Sequence, residues 1–382
     1  MRTAQTLRDL GHDGEVRILS AESELPYDRP PLSKEYLRGD MPDSGIALLD
    51  PAAYQERGIA LELGRKVVSL DTQARTVADA KGAEIGYDQL VVATGAQART
   101  LAVLDGREAV FALRTAEDSR RLAAAIREQQ RIAIIGGGFI GLEVAATART
   151  QGCPVTIIEA QSAPLLNAVG PEIARWLQER HTAHGVSFRC GCSVTAAEAA
   201  PGGGERLRLS DGSKVDADAV VVGIGVEREI DWLSDAGLEV GDGLVCDASG
   251  RSSDPTVFGV GDIVCHRTNR GLLPVGHWTA AVNSTRRAAH ALLGLPAPPM
   301  PEDGYFWSNQ YDLRLQFVGR ADPGCTVTVV SGDIADDSFV AQYRIGDRTT
   351  GVFAACNPRE FLRHRAQLRK TEELVQLQEV ST

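Results

Sequence analysis

Residues 131–143 read RIAIIGGGFIGLE: a short β-branched run, three glycines spaced as G-x-G-x-x-G, and the beginning of a helix-forming segment. The β-branched run predicts a buried parallel strand, and the residues after Gly141 predict a helix. A second apolar strand, Pro154–Glu159, ends on an acidic residue. Strand, glycine loop, helix, strand and terminal acid in this order are typical of a dinucleotide-binding βαβ unit.

Each glycine of the loop serves a different purpose. Gly136 permits a tight turn, Gly138 lets a pyrophosphate approach the backbone, and Gly141 allows the helix to pack closely on the strand. The N-terminus of the helix offers amide donors and a positive dipole end to phosphate. We therefore expect Phe139 and Ile140, at the beginning of this helix, to contact the nucleotide as well.

Glu159 indicates which nucleotide binds there. A carboxylate at the end of the second strand can accept hydrogen bonds from the hydroxyls of the adenosine ribose. The same negative charge repels a 2′-phosphate, so the sequence predicts NADH rather than NADPH.

The chain shows the same plan twice. Residues 67–95 contain an antiparallel excursion followed by an apolar strand that ends at Gly95, and a hairpin around Asp211-Gly212 is likewise followed by an apolar strand that ends at Gly225. This internal repeat predicts two dinucleotide-binding domains.

The repeat also makes a prediction about the beginning of the first domain. Residues 16–22 match the strand 155–159, and residues 2–10 match the helix after Gly141. The first strand of that domain and its glycine loop are therefore expected upstream of residue 1. Translation of the gene in frame upstream would reveal an apolar strand and a second G-x-G-x-x-G if this hypothesis is right.

The composition of the chain argues against nucleic acid and membrane lipid as binding partners. The 382 residues carry 40 Lys plus Arg against 51 Asp plus Glu, a formal charge of −11, which disfavours binding to nucleic acid or anionic lipid. No apolar run approaches the roughly 20 residues that span a bilayer, and the first residues do not resemble a signal peptide. We expect a cytoplasmic protein, and the histidines show no metal-ligand spacing.

Several stretches together resemble the FAD-dependent ferredoxin reductases, which include the reductase components of Rieske dioxygenases and the putidaredoxin and rubredoxin reductases. The resemblance covers nearly the whole chain. The stretches that carry it, in order, are Leu25–Lys34, Ala93–Gly95, Leu113–Thr115, Gly136–Glu143, Gly259–Asp262 and Tyr305–Asp312.

The resemblance implies roles for particular residues. Lys34 would lie beside the isoalloxazine ring, Glu143 would orient the nicotinamide carboxamide, and Trp307 would cover the flavin, so these three would act at the reacting atoms. The expected cofactor contacts, for FAD or NADH, are Glu22 at the FAD ribose, Arg29 and Lys34 in the flavin loop, Val68, Ala93, Thr94, Gly95, Arg114, Gly136, Gly138, Phe139, Ile140, Gly141, Glu143, Glu159, Gly225 beside the nicotinamide, Asp262 at the ribityl and pyrophosphate groups, and Trp278 through its main chain.

The fold class follows from these observations: α/β, with two three-layer Rossmann-like dinucleotide-binding domains and a C-terminal α+β domain. Alternating apolar runs after residue 312 predict an antiparallel sheet, and Asn357-Pro358 predicts the beginning of a terminal helix. We expect an FAD-binding domain in two parts, an NAD-binding domain inserted between them, and a C-terminal interface domain, at 1–105 and 226–299, 106–225, and 300–382.

The electron acceptor is inferred by elimination together with the resemblance. Related flavoenzymes that reduce disulfides or peroxide use cysteine near the flavin, whereas the corresponding segment here, Pro30–Tyr36, has none, and Cys153 is the first cysteine of the chain. The two electrons that NADH delivers to FAD as hydride would therefore leave the flavin one at a time, to a [2Fe-2S] ferredoxin that serves an oxygenase. Two alternatives remain: an NADH:acceptor flavin oxidoreductase without a protein partner, and a redox-silent NADH-binding module lacking the FAD phosphate loop.

Docking of an acidic ferredoxin to an acidic reductase requires a local basic patch. The candidate residues for such a patch are Arg286, Arg287, Arg314, Arg363, Arg365 and Arg369. The alternative is that these arginines form an ordinary solvated helix face.

Overall fold

The computed structural model describes residues 1–128, 130–268, 271–300 and 304–380. Its backbone contacts divide the chain into two units. The first unit comprises Met1–Asp28, Pro42–Gln97 and Val226–Glu302, and the second comprises Arg29–Met41, Ala98–Gly225 and Asp303–Thr382. Over the described residues, no helix combines the length and the apolarity needed to cross a bilayer.

Strands make up much of both units. In chain order they are β1 (Val16–Leu19), β2 (Ile59–Glu62), β3 (Val67–Asp71), β4 (Thr76–Asp79), β5 (Glu84–Gly86), β6 (Leu90–Val92), β7 (Gln97–Ala98), β8 (Val110–Phe111), β9 (Ile132–Ile135), β10 (Val155–Glu159), β11 (Val186–Cys190), β12 (Val194–Ala199), β13 (Glu205–Leu209), β14 (Lys214–Ala217), β15 (Ala219–Val222), β16 (Val226–Glu227), β17 (Leu244–Cys246), β18 (Val257–Gly259), β19 (Val264–Thr268), β20 (Gly271–Pro274), β21 (Phe306–Gln310), β22 (Leu313–Gly319), β23 (Thr326–Asp333), β24 (Ser338–Ile345) and β25 (Arg348–Ala355).

The α-helices are α1 (Arg2–Asp9), α2 (Glu35–Arg38), α3 (Asp43–Ile46), α4 (Pro51–Glu56), α5 (Ala116–Arg127), α6 (Phe139–Thr150), α7 (Leu166–Ala183), α8 (Asp231–Ser234), α9 (Trp278–Leu292) and α10 (Pro358–Val380). Short 3-10 helices occupy Pro30–Ser33, Ala102–Leu104 and Gly261–Ile263. Helix α7 is interrupted at Gly170, whose φ of 74° is left-handed, immediately before Pro171.

The second unit is built on a parallel sheet with the strand order β11-β10-β9-β15-β8. All four residues of β9, and all four of β15, are buried. This is the environment expected for β-branched strands that are covered on both faces. The three-stranded antiparallel excursion β12-β13-β14 follows, and its second turn lies at Asp211-Gly212, as the sequence predicts.

A five-stranded antiparallel sheet, β21-β22-β25-β24-β23, completes the second unit, with α10 packed on β25 and β22. The expected C-terminal sheet and terminal helix are both present. Strand β21 packs on α6, where Phe306 meets Phe139 edge to face with ring centroids 4.7 Å apart. The Tyr343 hydroxyl also donates to the carbonyl of Val169, at 2.6 Å. These contacts fix the C-terminal sheet to the helices of the parallel sheet.

The first unit contains two parallel strand pairs, β1–β2 and β6–β18, the antiparallel sheet β3-β4-β5 and the mixed sheet β17-β19-β20. Strand β17 pairs parallel with β19, whereas β20 is antiparallel to it. Helices α1 and α9 pack on each other. The core includes Leu70, Val92, Leu244 and Val257, which come from four different strands.

The two units cut the chain at places that differ from the expected domain boundaries. Residues 29–41, which the sequence places in the FAD-binding domain, group with the second unit. Two long-range hydrogen bonds hold this segment to helices of that unit: Ser119 Oγ on α5 donates to the carbonyl of Leu32, and Thr147 Oγ1 on α6 donates to that of Ser33, each at 2.8 Å. Residues 106–225 and 303–382 also form one unit, whereas the sequence treats them as two domains. The division into ligand-binding domains stays a prediction.

Candidate functional site

The glycine loop lies between β9 and α6, and its geometry excludes side chains at two positions. Gly136 has φ of +103°, and a Cβ atom there would lie 2.3 Å from the carbonyl oxygen of Gly223. A Cβ atom on Gly141 would lie 2.2 Å from the carbonyl oxygen of Gly136. Both contacts are to backbone, so neither position can accept a larger residue without displacement of the loop.

Gly138 is different, because it has room around it. It precedes α6 with φ of −75°, and the nearest atom to a Cβ placed there is the Gly223 carbonyl oxygen, at 4.0 Å. No side chain caps the helix at this residue. The open space and the first amide groups of α6, including those of Phe139 and Ile140, fit a pyrophosphate.

Glu159 ends β10, and its carboxylate bonds to the loop itself. Oε2 accepts from the Gly137 amide at 2.6 Å, and Oε1 accepts from the Gln161 amide at 2.8 Å. The residue therefore braces the glycine loop in addition to its expected contact with a ribose. Sequence reasoning missed this second role, because the spacing of the two residues does not reveal that the carboxylate turns back toward the loop.

Gly225, the expected neighbour of the nicotinamide, follows β15. Its φ is +101°, and a Cβ atom placed on it would meet open space. The Arg99 amide donates to its carbonyl oxygen at 3.1 Å. The backbone is thus held while the face of the residue stays clear for a ligand.

Lys34 and Glu143, predicted separately as site residues, form a buried ion pair. Lys34 Nζ lies 2.6 Å from Glu143 Oε2 and also donates to the carbonyl oxygen of Pro30 at 2.9 Å. The Ser33 hydroxyl donates to the same carboxylate oxygen at 2.5 Å. Less than a tenth of either charged side chain is exposed. Burial of an ion pair carries a large desolvation cost, which makes this cluster a candidate for the functional site.

The carboxylate of Glu143 has a further partner that sequence reasoning did not single out. Ser308, which has no exposed surface, donates its hydroxyl to Glu143 Oε1 at 2.6 Å. Gln310 then donates its amide to Ser308 Oγ at 3.0 Å. The available signal was the alternation of polar residues 308 and 310 on the inner face of β21.

Trp307, the expected flavin cover, lies on the other face of β21 from Ser308, since successive strand residues alternate. It is half-buried and stacks on Tyr305, with ring centroids 6.2 Å apart and planes inclined by 19°. The guanidinium of Arg365 lies 4.3 Å from the centroid of the Tyr305 ring. The contact of Trp307 with flavin stays a prediction.

Arg29 and Arg114, both expected at the flavin, contact each other. The Arg29 guanidinium donates to the carbonyl oxygen of Arg114, and the Arg114 amide donates to Asp118 Oδ2 at 3.1 Å. Asp118 belongs to the capping box that begins α5. The arrangement connects the loop after Asp28 to the beginning of this helix.

The first unit holds the other expected FAD contacts. Glu22 accepts from the hydroxyl of Tyr27 at 2.5 Å. Asp262 lies in the 3-10 helix Gly261–Ile263. Burial lowers the pKa of His277 below its usual value, and the charge of Asp262 opposes that shift.

Trp278 is the first residue of α9, so its main chain lies at a helix N-terminus. Its indole Nε1 donates to Asp28 Oδ1 at 3.3 Å, and the Arg2 guanidinium lies 5.2 Å from its ring centroid. Arg2 in turn donates to both carboxylate oxygens of Asp28. The side chain is thus anchored in the first unit.

The remaining expected contacts, Val68 and Ala93–Gly95, are exposed or half-buried. Val68 lies at an irregularity in β3, and 43% of its surface is exposed. Ala93 and Thr94 are exposed and follow β6, and Gly95 has φ of +69°. Within the first unit these positions are accessible to a ligand.

Two family models match the chain. The model described as pyridine nucleotide-disulphide oxidoreductase matches residues 1–288, and the model described as reductase C-terminal matches residues 305–378.

Curated relatives are similar along most of their length. A 5,5′-dehydrodivanillate O-demethylase ferredoxin reductase subunit from Sphingobium sp. is 38% identical, with 90% of this chain and 84% of that protein covered. The ferredoxin–NAD(+) reductase component of the p-cumate 2,3-dioxygenase system of Pseudomonas putida is 39% identical, with 87% and 81% covered. Rhodocoxin reductase from Rhodococcus erythropolis is 35% identical, with 94% and 84% covered.

Solved structures share the fold. The covalent putidaredoxin reductase–putidaredoxin complex matches with a TM-score of 0.91 at 30% identity, covering 96% of this chain and 89% of that one. The ferredoxin reductase for the CYP199A2 system from Rhodopseudomonas palustris matches with a TM-score of 0.89 at 31% identity, covering 95% and 90%. The expected fold class, two dinucleotide-binding domains followed by a C-terminal domain, is confirmed.

Proposed function

We propose that this chain transfers electrons from NADH through FAD to a [2Fe-2S] ferredoxin. The chain belongs to the pyridine nucleotide-disulphide oxidoreductase family and carries the reductase C-terminal domain. The balance is one NADH and two oxidised ferredoxins converted to NAD+, two reduced ferredoxins and one proton. The ferredoxin would serve an oxygenase, as the names of the relatives from dioxygenase and O-demethylase systems suggest.

The observation that carries the proposal is the buried ion pair of Lys34 with Glu143, in a segment without cysteine. Lys34 follows the 3-10 helix Pro30–Ser33, and no cysteine precedes Cys153 in the chain. In the segment where we expect disulfide-reducing members to carry thiols, this chain has Lys34 and no cysteine. Electrons would therefore pass to an external acceptor rather than to a thiol of this segment.

FAD, when bound, supplies the capacity to take two electrons as a hydride and to release them singly. Lys34 would place its ammonium group near the ring, with its charge offset by the paired Glu143 carboxylate. Glu22 and Asp262 would accept hydrogen bonds from sugar and ribityl hydroxyls. Trp278 would contact FAD through its main-chain amide. The open backbone of Ala93–Gly95 fits a ligand that approaches closely.

NADH would bind along the loop from Gly136 to Gly141, with the pyrophosphate at the first turn of α6. Glu159 would accept hydrogen bonds from the ribose and exclude a 2′-phosphate by charge. Glu143 would orient the carboxamide, and Gly225 would leave space for the nicotinamide ring. Trp307 would limit access of water to the reacting atoms.

Ferredoxin docking is proposed at Arg286 and Arg287 of α9. Arg286 is exposed, and Arg287 is half-buried. Charge reversal of Arg286 and Arg287 should slow ferredoxin reduction without altering electron transfer from NADH to a dye. Equal loss of both activities would contradict the docking role.

The visible spectrum of the purified protein tests the cofactor. Flavin absorption bands at about 450 nm are expected, and NADH should bleach them under anaerobic conditions. Stopped-flow mixing with a [2Fe-2S] ferredoxin should then show two ferredoxins reduced for each NADH. A colourless protein contradicts the proposal, and a flavin that reduces dyes but not ferredoxin favours an acceptor other than a protein.

A cytoplasmic location is also part of the proposal. All seven cysteines are free, which suits a reducing compartment, and NADH is available there. Fractionation of cells that express a tagged full-length gene product would test it.

A further inference from the structure

A row of buried polar side chains continues beyond Glu143 into the C-terminal sheet. Ser308 and Gln310 come from β21, and His181 comes from α7. None of the three is more than 1% exposed. Burial of so many polar groups is costly unless each has a partner, so the row requires an explanation.

The row is continuous in hydrogen bonds. Ser308 Oγ lies 2.6 Å from Glu143 Oε1, and Gln310 Nε2 lies 3.0 Å from Ser308 Oγ. His181 Nε2 lies 2.8 Å from Gln310 Oε1, and the Tyr311 hydroxyl lies 3.3 Å from His181 Nδ1. The chain of contacts thus runs from Tyr311 to the carboxylate of Glu143.

The chemistry of the groups fixes the direction of every bond in the row. Glu143, paired with the Lys34 ammonium, is a carboxylate and can only accept, so the hydroxyl of Ser308 must donate to it. Ser308 Oγ then accepts from the amide nitrogen of Gln310, which leaves the amide oxygen facing His181. His181 must therefore carry its proton on Nε2, and the hydroxyl of Tyr311 donates to Nδ1.

The environment of His181 agrees with this assignment. Burial lowers the pKa of the imidazole to about 4; the hydrogen bond with Gln310 opposes that shift and nearby His184 adds to it, so the ring is neutral near pH 7. The ring packs edge to face on Phe188, with centroids 6.4 Å apart. A neutral, packed imidazole keeps one tautomer because each of its nitrogens has a fixed partner.

We propose that Ser308 is a positioning residue that holds the Glu143 carboxylate through its Oε1, with Gln310 and His181 fixing the direction of the Ser308 hydroxyl. Ser33 and Lys34 hold Oε2 and Ser308 holds Oε1, so loss of the Ser308 hydroxyl would release one of the two oxygens that set the rotation of the carboxylate. The inference rests on the proposed function, in which Glu143 orients the nicotinamide.

The proposal gives the C-terminal sheet a direct part in nucleotide binding. Trp307 and Ser308 are consecutive residues on opposite faces of β21. Ser308 bonds to Glu143 on α6, and Phe306 packs on Phe139 at the beginning of the same helix. A displacement of β21 would therefore disturb the carboxylate that meets the nicotinamide.

A double-mutant cycle with Ser308→Ala and Glu143→Gln tests whether Ser308 acts through Glu143. The measurement is the dissociation constant of NAD+, by calorimetry on the purified protein, which involves no electron transfer. Ser308→Ala alone should weaken binding by about two- to tenfold, the equivalent of one hydrogen bond. In the Glu143→Gln background the same change should alter the constant by less than about twofold.

Asn309→Ala is the matched control, since Asn309 is the exposed neighbour on the opposite face of the same strand. It should leave the dissociation constant unchanged. An equal effect of Ser308→Ala in both backgrounds would overturn the positioning role, as would no effect in either. A wild-type protein that does not bind NAD+ would contradict the proposed function as well, so the two failures can be told apart.

The donor and acceptor assignment of the hydrogen bonds along the row can be tested separately. Long-range proton–nitrogen NMR spectra of protein labelled with 15N-histidine distinguish the two tautomers, and His181→Gln identifies the resonance. The Nε2–H tautomer of His181 is expected in the wild type, and Gln310→Met should abolish the preference of the imidazole for this tautomer. A wild-type His181 in the Nδ1–H form would overturn the assigned direction.

Discussion

Lys34 and Glu143 lie 109 positions apart in the sequence and form an ion pair of 2.6 Å in which both side chains are more than nine-tenths buried. The lysine follows a 3-10 helix that begins with two prolines, and the glutamate lies in the second turn of α6. Among the described residues, each charge contacts the other and nearby hydroxyl or carbonyl groups. The stability of the second unit therefore depends on both being present.

Loss of one partner should be costly, because it leaves a charge buried without its counterion. Lys34→Met should lower the free energy of unfolding by about 3–5 kcal/mol, and the double variant Lys34→Met/Glu143→Gln should recover most of that loss. Denaturant unfolding measures both.

The control for this prediction is Lys66→Met. Lys66 pairs with Glu229 at 3.1 Å, and about half of each side chain is exposed. Its loss should cost less than about 1 kcal/mol, since solvent screens such pairs. If Lys34→Met proves as mild as Lys66→Met, the buried pair does not have the assigned importance.

Alanine substitutions in the glycine loop should separate folding from nucleotide binding. Gly141→Ala places a Cβ atom 2.2 Å from backbone and should destabilise the protein by about 1–3 kcal/mol. Gly138→Ala meets no atom closer than 4.0 Å, so the melting temperature should change little. Its NADH affinity should nevertheless fall, because the methyl group occupies the approach of the pyrophosphate.

Thermal melts and NADH titration measure the two effects separately. A Gly138→Ala variant with unchanged affinity would show that the pyrophosphate does not lie against this residue.

Selectivity for NADH should depend on the charge of Glu159. Glu159→Gln keeps a carbonyl oxygen that can accept from the Gly137 amide and removes the negative charge. The ratio of kcat/KM for NADH over NADPH should fall by about tenfold, because the 2′-phosphate is no longer repelled. Glu179→Gln, on the exposed face of α7, is the control and should leave the ratio unchanged. An unaltered ratio in Glu159→Gln would place the ribose elsewhere.

Stability should depend on pH through His181. Burial lowers the pKa of this imidazole to about 4 in the folded protein, whereas the unfolded chain binds the proton near pH 6.5. Within that window the unfolded state takes up a proton that the folded state does not, which favours unfolding. The stabilisation is complete above about pH 6.5 and is lost as the pH falls towards 4, by about 3 kcal/mol in total.

Denaturant unfolding at several pH values would measure this slope. His181→Gln should show a shallower decline between about pH 6.5 and 4 than the wild type. Parallel slopes for the two proteins would assign the decline to other groups, among them His277 and His364, whose pKa values burial also lowers.

The sequence predicted the elements whose patterns are local. The β-branched run at 131–135 became the buried strand β9, and the glycine spacing placed the turn and α6 correctly. These predictions succeed because strand burial, turn conformation and close packing of a helix on a strand depend on residues within one short segment. Strand β21 was missed as a strand, although its residues belong to the stretch Tyr305–Asp312 that carries the family resemblance.

The sequence by itself determined the nucleotide-binding loop, the α/β class and the family, since each depends on short motifs in a fixed order. Only the tertiary structure decided that Glu143 meets Lys34 and Ser308, and that Glu159 turns back to brace Gly137. Ser308 lies 165 positions from Glu143, and no periodicity connects the two segments. Their contact arises from the packing of β21 on α6, which is a property of the assembled second unit rather than of any one segment.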